Sequence, residues 1–219
     1  MSPAGASIRA YQAGDLAAVY DVCIRTGDNG EDATGTLRDV QLLPDIYAGP
    51  YLYLQPDLAF VLDDGERPVG YVIGTADTAA FVRSYRDEWL PRLARTNPRP
   101  PPPERPATPD DVFLEALYHP EHMLRPELSA YPAHLHIDIL PAYQGAGDGR
   151  RLIETFVEAV GRAGAGGVHL AVSPTNTHAQ GFYQRVGFER LAVGAPGGGG
   201  AFYYGLKTGS RTPVPGGTP

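Results

Sequence analysis

Hydrophobic and polar positions along the chain fall into two rhythms. Short apolar or alternating runs at 7–11, 58–62, 68–74, 133–140, 168–172 and 201–206 read as strands. Spacings of three and four read as helices. Leu16, Val19, Tyr20, Cys23 and Ile24 form one apolar face behind an expected N-cap at Asp15. A second helix is expected over 36–43, stopped by Pro44, and a third over 78–95, broken or kinked at Pro91. Helices are also expected over 110–118 and 152–160, and in a stretch that ends in Phe182-Tyr183-Gln184-Arg185-Val186-Gly187-Phe188. Residues 63–67 form a hairpin turn, 45–53 is tyrosine-rich and interrupted by Gly49-Pro50, and 119–132 is irregular. The element order implies an α/β (α+β) fold, one mixed sheet with helices on its faces.

The breaks in this pattern are rich in proline and glycine. Residues 97–109 hold seven prolines in thirteen positions, which excludes helix and reads as an extended surface loop or as a linker between domains. The glycine run at 194–200 reads as a flexible turn, and 208–219 as a disordered tail after a single domain over 1–207. At 219 residues, 42% hydrophobic and 20% charged, the chain can bury a sizeable core. Its net charge of −7, from 18 basic and 25 acidic residues, argues against general nucleic-acid binding and suits either a solvated surface or a cationic substrate. Cys23 is the only cysteine, so no intrachain disulfide is possible. Residues 1–7 lack a signal pattern, and no apolar run approaches the roughly 18 residues of a membrane span. A soluble, cytoplasmic protein is expected, as monomer or homodimer.

Two local constellations carry chemistry. Between the strand 133–140 and the helix 152–160 lies Gln144-Gly145-Ala146-Gly147-Asp148-Gly149-Arg150-Arg151. Glycines let backbone approach an anion, and free N–H groups at a helix start attract it, so a phosphate-bearing ligand is expected there. No Gly-Lys-Ser/Thr follows, which excludes a Walker loop. On the strand before it, alternation puts His134, His136 and Asp138 on one face and Leu135, Ile137 and Ile139 on the other. Three ionisable residues on one strand face read either as a proton-transfer site or as a structural hydrogen-bond network.

The turn 144–149 resembles the Gln/Arg-x-x-Gly-x-Gly/Ala turn of the GNAT superfamily of acetyltransferases. Asn176-x-x-Ala179-x-x-Phe182-Tyr183-x-x-x-Gly187-Phe188 resembles the second half of that family's acetyl-CoA site, at the right spacing. The likeness is good over 133–190 and looser over the hairpin 58–74. The runs 58–64, 70–77 and 136–138 further resemble the acetyltransferase-like C-terminal domain of animal O-GlcNAcase, with the glycine turn intact in this chain. The resemblance implies a GNAT fold, a mostly antiparallel central sheet with helices on both faces, and acetyl-CoA as co-substrate with no metal.

By the same resemblance, amides of Gly145, Ala146, Gly147, Asp148, Gly149 and Arg150 hold the pyrophosphate behind Gln144, and Ile139 and Leu140 offer backbone groups to the pantetheine arm. The Ile139 amide is also a candidate oxyanion donor. Asn176 binds pantetheine or caps its helix. Arg150 and Arg151 add charge near the phosphates or face solvent. Tyr183 is the candidate general acid, set against a core tyrosine with a satisfied hydroxyl. Asp138 is the first candidate for base and His136 the second. Asp77, His134 and Asp28 are candidate contacts to the acceptor. The implied reaction is direct attack of an amine on the thioester. A small-molecule amine is expected, with the Pro-rich and tyrosine-rich segments roofing the groove. The alternatives are a protein lysine as acceptor and an acetyl-CoA-binding module without turnover.

Overall fold

The computed structural model describes residues 5–193 and 200–209. Residues 194–199 of the turn expected at 194–200, and 210–219 of the tail expected at 208–219, lie outside the described residues. One seven-stranded sheet runs in the order β1-β2-β3-β4-β5-β7-β6, with β1 at Ser7–Ala10, β2 at Ala59–Asp63, β3 at Pro68–Thr75, β4 at Ala133–Ile139, β5 at Gly167–Val172, β6 at Glu189–Arg190 and β7 at Phe202–Lys207. Among the described residues only the β4–β5 pair is parallel. β7 pairs within its own sheet, against β5 and β6. Strands before and after the Pro-rich segment meet directly, since β3 pairs with β4 from Gly70↔Ile139 to Thr75↔His134.

Helices cover both faces. α7, Asp148–Arg162, packs across the face of Leu135, Ile137 and Ile139, where Phe156 presses on Gly74. α1, Leu16–Arg25, packs on β3 and β4 from the other side. Its buried residues are Val19, Val22 and Cys23, whereas Leu16 is 43% exposed, so the apolar face is rotated from the expected one. Asp15 does not cap α1 with its side chain; the carboxylate instead takes Arg9 Nη1 at 2.7 Å and the Gln12 amide at 2.8 Å.

The proline expectations also change. Pro44 does not stop a helix. It lies in the first turns of α2, Leu42–Tyr47, where a missing N–H costs nothing. α3, Gly49–Leu54, follows with Pro50 in its first turn, so the tyrosine-rich segment is helical on both sides of Ala48. Pro91 does not break its helix. α4, Thr78–Ser84, continues through a π-turn at Tyr85–Trp89 into α5, Leu90–Thr96, and the wider turn accommodates the proline's lost donor.

The Pro-rich segment is docked rather than loose. The Arg99 guanidinium, buried, forms ion pairs with Asp39 and Asp45, each at 2.7 Å, and the Arg99 carbonyl accepts the Tyr118 hydroxyl at 2.7 Å. These contacts brace α2 and α6, Pro109–Tyr118, from behind. The residues that reach over β4 belong to those helices themselves: Tyr47 stands edge-on to Phe113 and tilts over the His136 ring at 5.6 Å.

Candidate active site

β4 and β5 pair only at Ala133↔Val168 and His134↔His169. Both strands continue beyond these residues, so they part and leave a cleft. The Leu140 amide donates to the Val69 carbonyl at 2.9 Å, and antiparallel alternation then turns the backbone groups of Ile137 and Ile139 away from β3 and into the cleft. The Ile139 carbonyl accepts Gln144 Nε2 at 2.8 Å, which pins the glycine turn to the strand. The Ile139 amide remains free among the described residues. Leu140 cannot serve as expected, because its amide is held by Val69 and its carbonyl accepts the Tyr143 amide at 2.9 Å. The backbone groups of Ile137, a residue the sequence pattern does not single out, are turned into the cleft instead.

At the end of β4 the turn 144–147 leads into α7. Gly145 and Gly147 have φ of +87° and +92°, the left-handed region that glycine adopts without strain. Among the described residues no side chain caps α7, and the first amide after the turn with a backbone acceptor is that of Arg151, on the Gly147 carbonyl at 3.2 Å. The amides of residues 145 to 150 therefore point outward without acceptors among the described residues. Such a row, at the positive end of a 15-residue helix, suits a multiply charged phosphate group. The Asp148 and Arg150 side chains do not share that duty. Asp148 pairs with Arg151 at 2.7 Å, and Arg150 Nη2 donates to the Arg185 carbonyl at 2.7 Å, bridging α7 to α8, Thr177–Arg185.

The two sequence motifs meet at this point. A Cβ on Gly149 would sit 3.1 Å from the Phe182 ring, so the glycine lets α8 lie against α7. Asn176 caps α8, its Oδ1 accepting the Ala179 amide at 3.0 Å, while its Nδ2 donates to the Asn29 carbonyl at 3.1 Å. Asn29 is the second residue of a tight turn, Asp28-Asn29-Gly30-Glu31, closed by paired backbone bonds and by φ of +54° and +97° at its centre. Asp28 thus lies exposed at the rim, not inside the cleft. Tyr183 is buried between Phe182, Phe188 and Tyr204, yet its hydroxyl has no hydrogen bond among the described residues. Burial, and then the charge of Asp138, hold its proton more tightly than usual.

The opposite side of the cleft is the His134, His136 and Asp138 face. Asp138 is in register with Tyr71, whose hydroxyl donates to Oδ2 at 2.5 Å. Burial pushes the Asp138 carboxyl up to about 7, against the Tyr71 hydrogen bond, which favours the anion. The group stays partly open to solvent and can take up and release a proton near neutrality. His136 is also partly open; burial lowers it to about 4, so it is neutral.

His134 and Asp77 do not reach the cleft as expected. His134 is buried, with Nε2 on the Tyr51 hydroxyl at 2.7 Å and Nδ1 on the Thr78 hydroxyl at 2.8 Å. Asp77 is exposed and caps α4 through the Ala80 amide at 2.9 Å. The sequence also missed Tyr51 and Tyr71. Register alone signals Tyr71, two residues from Ile73 on the face of β3 that pairs with Asp138 and His136. No local signal places Tyr51, which arrives from another helix. An open groove of about 540 Å³ at the β1 edge, between Ile8, Phe60 and α7, is lined by Arg151 but by no other candidate site residue.

Comparison with known proteins agrees with this geometry. The model of the acetyltransferase (GNAT) family matches residues 33–188. Protein O-GlcNAcase of Rattus norvegicus and of Mus musculus are each 24% identical over 188 residues, 85% of this chain but 20% of theirs, so the chain spans about a fifth of those relatives. The crystal structure of SsHAT is 46% identical, with a TM-score of 0.86, covering 93% of this chain and 98% of that one. The structure of yncA from Salmonella typhimurium with its cofactor acetyl-CoA shares the fold at 15% identity and a TM-score of 0.52, over 97% of this chain and 99% of its own. The chain belongs to the acetyltransferase (GNAT) family, whose members transfer an acetyl group from acetyl-CoA to amines.

Proposed function

We propose that the chain acetylates a small-molecule amine, with Asp138 as base and Tyr183 as acid on the two sides of the β4–β5 cleft. The observation that carries the reading is the pairing of a carboxyl that burial pushes up to about 7 with a buried, protonated phenol that has no hydrogen bond among the described residues and feels that carboxyl's charge. Acetyl-CoA supplies the acetyl group as a thioester. The amides of residues 145 to 150 hold its pyrophosphate, and the backbone of Ile137 and Ile139 holds its pantetheine arm. Asp138 takes a proton from the substrate ammonium, freeing the nitrogen lone pair to attack. Tyr183 gives its proton to the departing sulfur and recovers one from the newly acylated nitrogen. The balance is one amide and one thiol formed and one proton released.

A small acceptor is favoured by Tyr47, which tilts over His136, is packed edge-on by Phe113 and narrows that end of the cleft. A protein lysine is the second reading, favoured by the exposed acidic turn of Asp28 and Glu31 pinned to Asn176 at the rim. An acceptor screen that reads released thiol decides between them. Turnover with small amines at a kcat/KM at least tenfold above that with basic peptides supports the proposal. The opposite order supports a lysine, and no thiol release from any amine leaves a binding module.

The glycine turn gives a smaller, separate expectation. Gly147→Ala forces a residue with a Cβ into a left-handed conformation, at about 1–2 kcal/mol, and tilts the amide row. The KM for acetyl-CoA should rise about tenfold while that for the amine stays within twofold, measured by steady-state kinetics with each substrate varied.

A further inference from the structure

The hydroxyl of Thr78 approaches two groups, the Pro132 carbonyl at 2.7 Å and His134 Nδ1 at 2.8 Å. A carbonyl only accepts, so the Thr78 proton goes to Pro132 and His134 must donate from Nδ1. His134 is buried and held far below its usual pKa, first by burial and then by the neighbouring His169, so it is neutral and its Nε2 is bare. The Tyr51 hydroxyl, 2.7 Å from that nitrogen, donates to it. Met123 Sδ, at 3.9 Å, is too weak an acceptor to compete. With its single proton spent, Tyr51 can only accept at its third contact, from His136 Nε2 at 3.1 Å. His136 is neutral as well, so its lone pair lies on Nδ1. That atom has no hydrogen bond among the described residues and is not among the sealed, unpaired ones.

We infer that Tyr51 is a positioning residue for acetyl transfer: the one-way chain from Thr78 through His134 and Tyr51 fixes His136 with a bare Nδ1, which holds one N–H of the substrate amine while Asp138 takes a proton from its ammonium form. The inference rests on the proposed amine acceptor. It gives the paired side chains His136 and Asp138, two residues apart on one strand face, complementary tasks.

Histidine tautomers can be read directly by two-bond proton–nitrogen correlation NMR on ¹⁵N-histidine-labelled protein. The wild type should show His134 protonated at Nδ1 and His136 at Nε2. Thr78→Val removes the far end of the chain and keeps the volume. His134 should then move its proton to Nε2, Tyr51 should turn its hydroxyl to His136, and His136 should become protonated at Nδ1. The KM for a primary amine should rise three- to tenfold, with that for acetyl-CoA unchanged. Tyr51→Phe, which keeps the stacking on Phe81, should uncouple the two histidines, so that adding Thr78→Val no longer changes His136. His136 protonated at Nδ1 in the wild type overturns the inference without any variant having to fold. So does a Thr78→Val protein in which His134 switches and His136 does not. The absence of thiol release with any amine, with the tautomers as stated, overturns the proposed function instead and leaves the chain standing.

Discussion

Replacing Asp138 by Asn is expected to lower kcat/KM for the amine by about two to three orders of magnitude, the range a positioned base contributes, and to make the protein more stable at pH 8. Both effects come from the same burial. Asn keeps the shape and can still accept the Tyr71 hydroxyl, so the variant loses proton affinity and little else. In the wild type, kcat/KM should fall as pH drops through about 7, because Asp138 must be ionised to act. The variant should lack that limb.

The stability change has the opposite sign to that of most carboxylates. Below the ordinary value of 3.8, folded and unfolded chains both carry a neutral Asp138. Between 3.8 and about 7 the unfolded chain ionises and the folded one does not, so the fold loses stability as pH rises. Above that window the loss is constant. The full shift corresponds to about 4 kcal/mol, and solvent access to the group reduces it to roughly 2. Denaturant titrations should therefore show the Asp138→Asn protein more stable than wild type at pH 8 and equal to it near pH 3.5. An active Asp138→Asn enzyme with an unchanged acid limb would remove Asp138 from the mechanism. An inactive one with no stability gain would point to a carboxylate that is already ionised at low pH, and so to water or His136 as the proton acceptor.

How far the site was legible follows from how local each feature is. The amide row of 145 to 150 depends on neighbouring residues and on glycines that permit positive φ, so its sequence announces it. The meeting of Gly149 with Phe182 is a contact between two motifs, each already readable. The shared face of His134, His136 and Asp138 follows from strand alternation. Its division of labour does not, because it is decided by residues from other elements. Thr78 and Tyr51 seal His134, and Tyr71 reaches Asp138 from the neighbouring strand. Leu140 departs from its expected role for a related reason. Whether an amide faces the cleft depends on its register with β3, which one strand's sequence does not state. The helix errors share a cause too. Pro44 and Pro91 mark a break only if a helix already precedes them. In this fold Pro44 falls at a helix start, and a π-turn absorbs Pro91.

Tyr183→Phe should reduce kcat about a hundredfold, in the lower part of the range for a general acid, with the KM for acetyl-CoA within twofold of wild type. The ring's contacts to Phe182, Phe188 and Tyr204 survive the substitution, and the hydroxyl that is lost bonds to no described residue, so the packing penalty is small. Because burial raises the pKa of the phenol and Asp138 raises it further, Tyr183 stays protonated throughout the working range, and wild-type kcat should show no loss up to pH 9 from this group. The coupling also orders the steps. When Asp138 takes the substrate proton its charge disappears, and the phenol releases its own proton more readily at the moment the sulfur needs one. The decisive measurement uses acetyl thioesters of thiols with different acidity. A sulfur that leaves easily without a proton should restore much of the variant's rate while changing the wild type little. If the Tyr183→Phe protein is slowed equally with every thiol, the hydroxyl acts by orienting the substrate. If it is not slowed at all, the proton for the sulfur comes from elsewhere in the cleft.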